Sequence, residues 1–242
     1  MNFSDNFEFE NVNAPRETLD NIQFALSSAE LDFLTIVEAG IRPPIAFRDA
    51  KILDQWISTN PLNIQKIGNR KTRNARVLIG KVNTPSGKRY YRQVWVRARY
   101  KDYRKAMVQY LRATDGDGVK VHRHDVDHAV ASTYLLKQWP EAWVNVLFVS
   151  SGINRSVGSM MEKILKPVTE DQILLNAECV IKLLFQRKER LNRIYAKDYF
   201  AEASNRFLRD PKSNTQRLLD QISKELEVNF AVCPSGSNFD YP

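Results

Sequence analysis

Cysteine is nearly absent from this chain of 242 residues: Cys179 and Cys233 are the only two. Two isolated thiols with no CxxC partner exclude a disulfide framework and a zinc ribbon, and they fit a reducing compartment. No apolar stretch approaches the roughly 18–20 residues of a membrane span, so no membrane segment is expected. The start, Met1-Asn2-Phe3-Ser4-Asp5, lacks the basic residues and apolar core of a signal peptide. The expected location is therefore the cytoplasm, with export by a machine that needs no signal peptide left open. Internal repeats and low-complexity tracts are also missing. Histidine is scarce too, with three residues in all, and all three fall between His122 and His128.

What is present begins with an uneven charge. The chain carries a formal +8, and its 43% hydrophobic content is enough for a real core. Between Lys66 and Lys105 there are fourteen basic residues and one acid, Asp102, a local +13; the first forty residues hold eight acids and one arginine, a local −7. Such polarity points to a polyanionic partner for the middle of the chain. Tyr90, Tyr91, Trp95, Tyr100 and Tyr103 sit among those arginines and lysines. Aromatics and arginines together can stack on bases and grip phosphates. The nucleic-acid-binding candidates are Arg89, Arg92, Trp95, Arg97, Arg99, Lys101 and Arg104. The alternative is an ordinary sheet whose aromatics face a core.

Periodicity predicts a helix from Pro15 to about Glu38, ended by Gly40 and Pro43-Pro44, and a shorter one near 48–58 burying Ile52, Leu53 and Trp56. Arg76–Val82 and Tyr90–Arg99 read as strands about a turn at Thr84-Pro85-Ser86-Gly87. In the second strand Val94, Val96 and Ala98 alternate with Trp95, Arg97 and Arg99, so one face is expected to be apolar and the other charged. A helix follows over 102–112, then the turn Asp115-Gly116-Asp117-Gly118, which lacks the glutamate and ligand spacing of an EF-hand. Strands are expected at 119–128 and 144–149, with irregular chain between them. Ser150-Ser151-Gly152 has helix-capping chemistry for a helix over 153–166. Further helices are expected over 170–199 and 215–228.

The fold class expected is α+β. The organisation is an acidic helical region (1–60), a basic β-hairpin plus helix (61–118), a strand–strand–helix core (119–168), C-terminal helices (169–230) and a tail (231–242).

The cluster His122-Arg123-His124-Asp125-Val126-Asp127-His128 combines imidazole and carboxylate, which suits a divalent metal or proton transfer near neutral pH. The metallo-β-lactamase pattern HxHxDH fails by one residue, and the chain has no further histidines for such a site. Asp127-His128 is followed by Asn145, which opens an apolar strand, and by Asn154-Arg155, which opens a helix. Over about 121–163 this arrangement resembles the HNH, or ββα-metal, nuclease family, in its variant with asparagine at the last position. The wording is similar to the HNH domain of RNA-guided CRISPR nucleases, with Asp-Val-Asp-His and the same Asn-to-Asn spacing.

The resemblance implies His128 as general base, Asp127 and Asn154 as metal ligands, and Asn145 as a brace that orients His128. It implies Mg2+, Mn2+ or another divalent cation, DNA as substrate, and products with 3′-hydroxyl and 5′-phosphate ends. His124, Asp125 and Arg155 are supporting candidates. A phosphodiester repels an attacking hydroxide, which a cation offsets and a neutral imidazole can generate. The chain departs from the family in having Ser150-Ser151-Gly152-Ile153 where many members hold zinc with CxxC, so no structural zinc is expected. Val157 stands where a basic residue is common, and Ala131 where a proline is common.

In a regular strand Asp127 and His128 point to opposite faces, so the nuclease reading expects the strand to end or bend at Asp127; otherwise the three histidines form the site and the aspartates do not. A non-cleaving DNA- or RNA-binding protein on the same frame is the alternative, as is an RNase. A phage or mobile-element nuclease, a toxin and a defence effector are all compatible settings. The acidic N-terminus and the C-terminal helices could bind an inhibitor or another protein.

Overall fold

The computed structural model describes residues 33, 35–59, 65–67, 73–84, 87–115, 124–155, 169–184 and 214–232. Gly40, with φ of 84°, ends a helix at 35–38 and turns the chain into β1 (Pro44–Phe47). Asp49 then caps α1 (Ala50–Thr59), its Oδ1 accepting the Ile52 amide at 3.0 Å. β2 (Gln65–Ile67), β3 (Ala75–Thr84) and β4 (Gly87–Arg97) lead into α2 (Tyr103–Asp115). β5 (His124–His128), α3 (Ser132–Gln138), β6 (Trp143–Ser150), β7 (Gln172–Leu174), α4 (Ala177–Leu184) and α5 (Asn214–Val232) follow. The class is α+β.

All described strand pairs are antiparallel, and they form one seven-stranded sheet in the order β2-β3-β4-β6-β1-β7, with β5 also on β6. Val146 pairs with Val94 of β4 and with His128 of β5, so those strands flank β6 on opposite sides. Val144 pairs likewise with Val96 and with Ala46 of β1. β1 and β5 therefore lie end to end along one side of β6. Strands from four of the five expected segments share this sheet.

The central strand β6 reads WVNVLFVS and is buried along nearly its whole length. One cluster gathers Val94, Val96, Val126, Val146 and Phe148 with Ala106, Met107 and Tyr110 of α2. A second gathers Phe47, Leu78, Tyr91, Trp95 and Trp143 with Leu53 of α1. Apolar burial on this scale is the main driving force for the fold, at about 25 cal/mol per Å². Arg42 ties α5 to the segment before β1 through a bidentate pair with Glu225, at 2.8 and 2.9 Å.

Several expectations change. Residues 172–174 form a strand on β1 instead of the start of a long helix, because their backbone completes the sheet edge beside Pro44–Phe47. The helix begins at Ala177, where Asn176 Oδ1 accepts the Cys179 amide at 3.0 Å. The stretch before Trp139-Pro140 is helical over Ser132–Gln138. β1 itself was not expected. The 15–32 part of the first helix, the Asp-Gly turn at 116–118, and residues 119–123, 156–168 and 185–199 lie outside the described residues. Among the described residues no helix is long and apolar enough to cross a membrane.

Candidate functional site

β5 carries the sequence HDVDH, and its register on β6 runs without a shift from His124 opposite Ser150 to His128 opposite Val146. The Ala129 amide then donates to the Asn145 carbonyl at 2.8 Å. The expected bend at Asp127 is therefore not there: the ladder continues through it. Alternation puts His124, Val126 and His128 on one face and Asp125 and Asp127 on the other. His122 lies outside the described residues.

On the histidine face, α2 closes over the strand. The His128 ring lies 4.2 Å from the Tyr103 ring, and His128 is only 5% exposed. Burial pushes its pKa down to about 4; the nearby Lys182 charge acts the same way, and Asp127 opposes it. Its Nε2 is buried with no hydrogen-bond partner among the described residues. His124 stacks on Phe148 at 5.1 Å. Arg104 of α2 donates to the His124 carbonyl at 3.2 Å and comes within 3.9 Å of Asp125.

On the carboxylate face, the turn after β6 meets Asp125. Ser150 Oγ caps a helical turn at 151–155 by accepting the Ile153 amide at 3.2 Å. That turn presents Ser151, whose Oγ donates to Asp125 Oδ1 at 2.8 Å, and Asn154, whose Nδ2 donates to Asp125 Oδ2 at 3.2 Å. Asp127, two residues along, is met by α4. Lys182 Nζ donates to Asp127 Oδ2 at 2.6 Å and to Glu178 Oε1 at 2.7 Å. Lys182 is 2% exposed and Glu178 1%. Burial disfavours the ammonium, but the Glu178 and Asp127 carboxylates outweigh it and hold Lys182 above the usual lysine range.

Asn145 is buried under this face. Its Nδ2 donates to the Val94 carbonyl at 3.2 Å, so the side chain braces β4 while the backbone carbonyl fastens the residue after His128. Arg155 is exposed. Asp125, Asp127 and Asn154 are thus brought to one side, with Asn154 against Asp125; His128 is not brought there.

Glu178 and Lys182 were not among the sequence candidates. Their signal was a charged i,i+4 pair inside the apolar run AECVIKLL, a pattern that places both charges on one helix face where the neighbours are core residues.

The basic segment divides in two. Trp95 is 0% exposed, its ring 5.1 Å from Phe47 and its Nε1 donating to Gln93 Oε1 at 3.1 Å. It is a core residue, and both faces of β4 are covered there. Arg76, whose guanidinium sits 4.4 Å above the Trp143 ring and 2.7 Å from Asp54, is likewise structural. Arg97 and Arg99 lie 3.5 and 2.9 Å from Glu141. Arg99, Lys101 and Arg104 keep a cationic surface along the turn into α2, beside β5, and Arg92 is half-buried. Arg89 lies on β4, and its side chain is outside what the structure describes.

Two carboxylates and a primary amide are hard oxygen donors of the kind Mg2+ or Mn2+ takes. Asp127 and the Asn154 amide oxygen suit such an ion by their chemistry, with the Asn154 Nδ2 given to Asp125. Among the described residues no group of three His, Cys, Asp or Glu side chains is placed to hold a metal ion. Compared with protein-family models, curated proteins and solved structures, the chain matches none.

Proposed function

We propose that this chain is a metal-dependent endonuclease of the HNH, or ββα-metal, kind, hydrolysing phosphodiester bonds in DNA. One observation carries the reading: antiparallel β5 and β6 followed by a helical turn gather Asp125, Asp127 and Asn154 on one side. Asp127 and Asn154 would hold the ion, with Asp125 orienting Asn154. A bound divalent cation supplies charge to offset the phosphate and to stabilise the leaving oxygen. Arg99, Lys101 and Arg104 would hold the backbone beside β5, a contact that grips phosphate without reading sequence. His128 is neutral at pH 7, as a general base must be, while burial that lowers its pKa to about 4 weakens it as a base until it leaves that setting. To act on a water at the carboxylate face it must leave Tyr103 and turn past Asp127.

A second reading, a non-cleaving DNA- or RNA-binding protein on the same frame, is favoured by the Lys182–Asp127 pair and by the burial of His128. Purified protein incubated with plasmid and with RNA, in magnesium or a chelator, separates the two. Metal-dependent nicking lost in Asp127→Ala and His128→Ala supports the nuclease. Tight binding without cleavage under any divalent metal supports the second reading, and cleavage of RNA alone keeps the site but changes the substrate.

A further inference from the structure

We propose that the Lys182 ammonium is the resident cation of the carboxylate face, and that a divalent ion and the Lys182–Asp127 contact are mutually exclusive. This inference deepens the reading above and rests on its assignment of Asp127 to the metal. Lys182 reaches Asp127 from α4, and its charge is buried between two carboxylates at 2.6 and 2.7 Å. A buried ammonium keeps such a position only where the carboxylates compensate it fully. An incoming divalent ion meets the same Asp127 carboxylate, and the two cations repel each other at that range.

Glu178 makes the exchange feasible. It lies one helical turn from Lys182 on α4 and already accepts from it, so an ammonium released by Asp127 retains a carboxylate partner. The carboxylates therefore have opposing roles: Asp127 is shared between lysine and metal, while Glu178 belongs to the lysine. Lys182 and Glu178 are positioning residues here, acting on metal loading through Asp127.

The test is Mn2+ binding to the full chain, followed by electron paramagnetic resonance of the free ion and by calorimetry. Lys182→Ala removes the competitor, and Mn2+ should bind at least about tenfold tighter than to the wild type. Glu178→Gln leaves Lys182 with Asp127 as its only carboxylate, and Mn2+ should bind several-fold more weakly. Adding Asp127→Asn to Lys182→Ala should cancel the gain. Equal Mn2+ affinity in wild type and Lys182→Ala overturns the exchange while leaving the nuclease reading in place. Absence of Mn2+ binding from both overturns the exchange and the metal assignment together. If Lys182→Ala does not fold, Glu178→Gln decides alone: unchanged or tighter Mn2+ binding overturns the proposal.

Discussion

The His128 imidazole packs 4.2 Å from the Tyr103 ring, on the opposite face of β5 from the carboxylate of its neighbour Asp127. This placement makes folding pH-dependent. The unfolded chain binds a proton on this imidazole near pH 6.5, whereas the folded chain binds it only near pH 4. Between those values the unfolded state carries more protons, so stability rises with pH across the window. The contribution is fully present above about pH 6.5 and is lost as pH falls toward 4, by on the order of 3 kcal/mol. Urea unfolding at pH 7 and pH 4.5 should show this loss in the wild type. In His128→Gln, which has no imidazole to charge, the difference between the two pH values should shrink.

Trp95 was read as a base-stacking candidate and is instead packed among Phe47, Trp143 and Tyr91. Trp95→Ala should cost about 3–5 kcal/mol of stability, as deleting a large buried ring does. Chemical denaturation checks it: a variant of unchanged stability that loses nucleic-acid affinity would return Trp95 to the binding surface.

Gly80 lies opposite Tyr91 in the β3–β4 ladder, and a Cβ at Gly80 would run into the buried Tyr91 ring. Gly80→Ala should therefore destabilise the sheet by at least about 1–3 kcal/mol, the usual result of overpacking. Thermal melts of Gly80→Ala beside Gly87→Ala distinguish crowding from backbone effects. Gly87 has φ of 113° with nothing near its missing Cβ, so its substitution tests backbone strain alone.

Glu141 pairs with both Arg97 and Arg99 and offsets one of their two charges. Arg99→Ala, Lys101→Ala and Arg104→Ala combined should weaken DNA binding at least tenfold at low salt and flatten its salt dependence by up to about 0.9 in slope per lost phosphate contact. Glu141→Gln should act in the opposite direction, strengthening binding a few-fold. Fluorescence anisotropy across a salt series reads both; a Glu141→Gln variant that binds more weakly would contradict this placement of the surface.

Much of the frame was legible from local pattern. The β3–β4 hairpin, α1, α2, β6 and α5 lie close to where hydrophobic pattern puts them, although β4 and β6 are covered on both faces instead of one. β1 and β7 were not legible. They are four and three residues long, too short for a period to show, and both exist because they pair with each other and β1 pairs with β6.

The candidate site divides along the same line. The clustering of Asp125, Asp127 and His128 and the asparagines at 145 and 154 are properties of the sequence alone, whereas the straight run of β5 through Asp127, which keeps His128 on the other face, was decided by its pairing with β6. Which face α2 covers and which face meets α4 was decided only by the tertiary structure. Tyr103 and Lys182 are far from β5 along the chain, and no local pattern says where a helix will dock. The ion pair of Lys182 with Asp127 and Glu178 arises because packing α4 against this face buries an ammonium that only carboxylates can compensate.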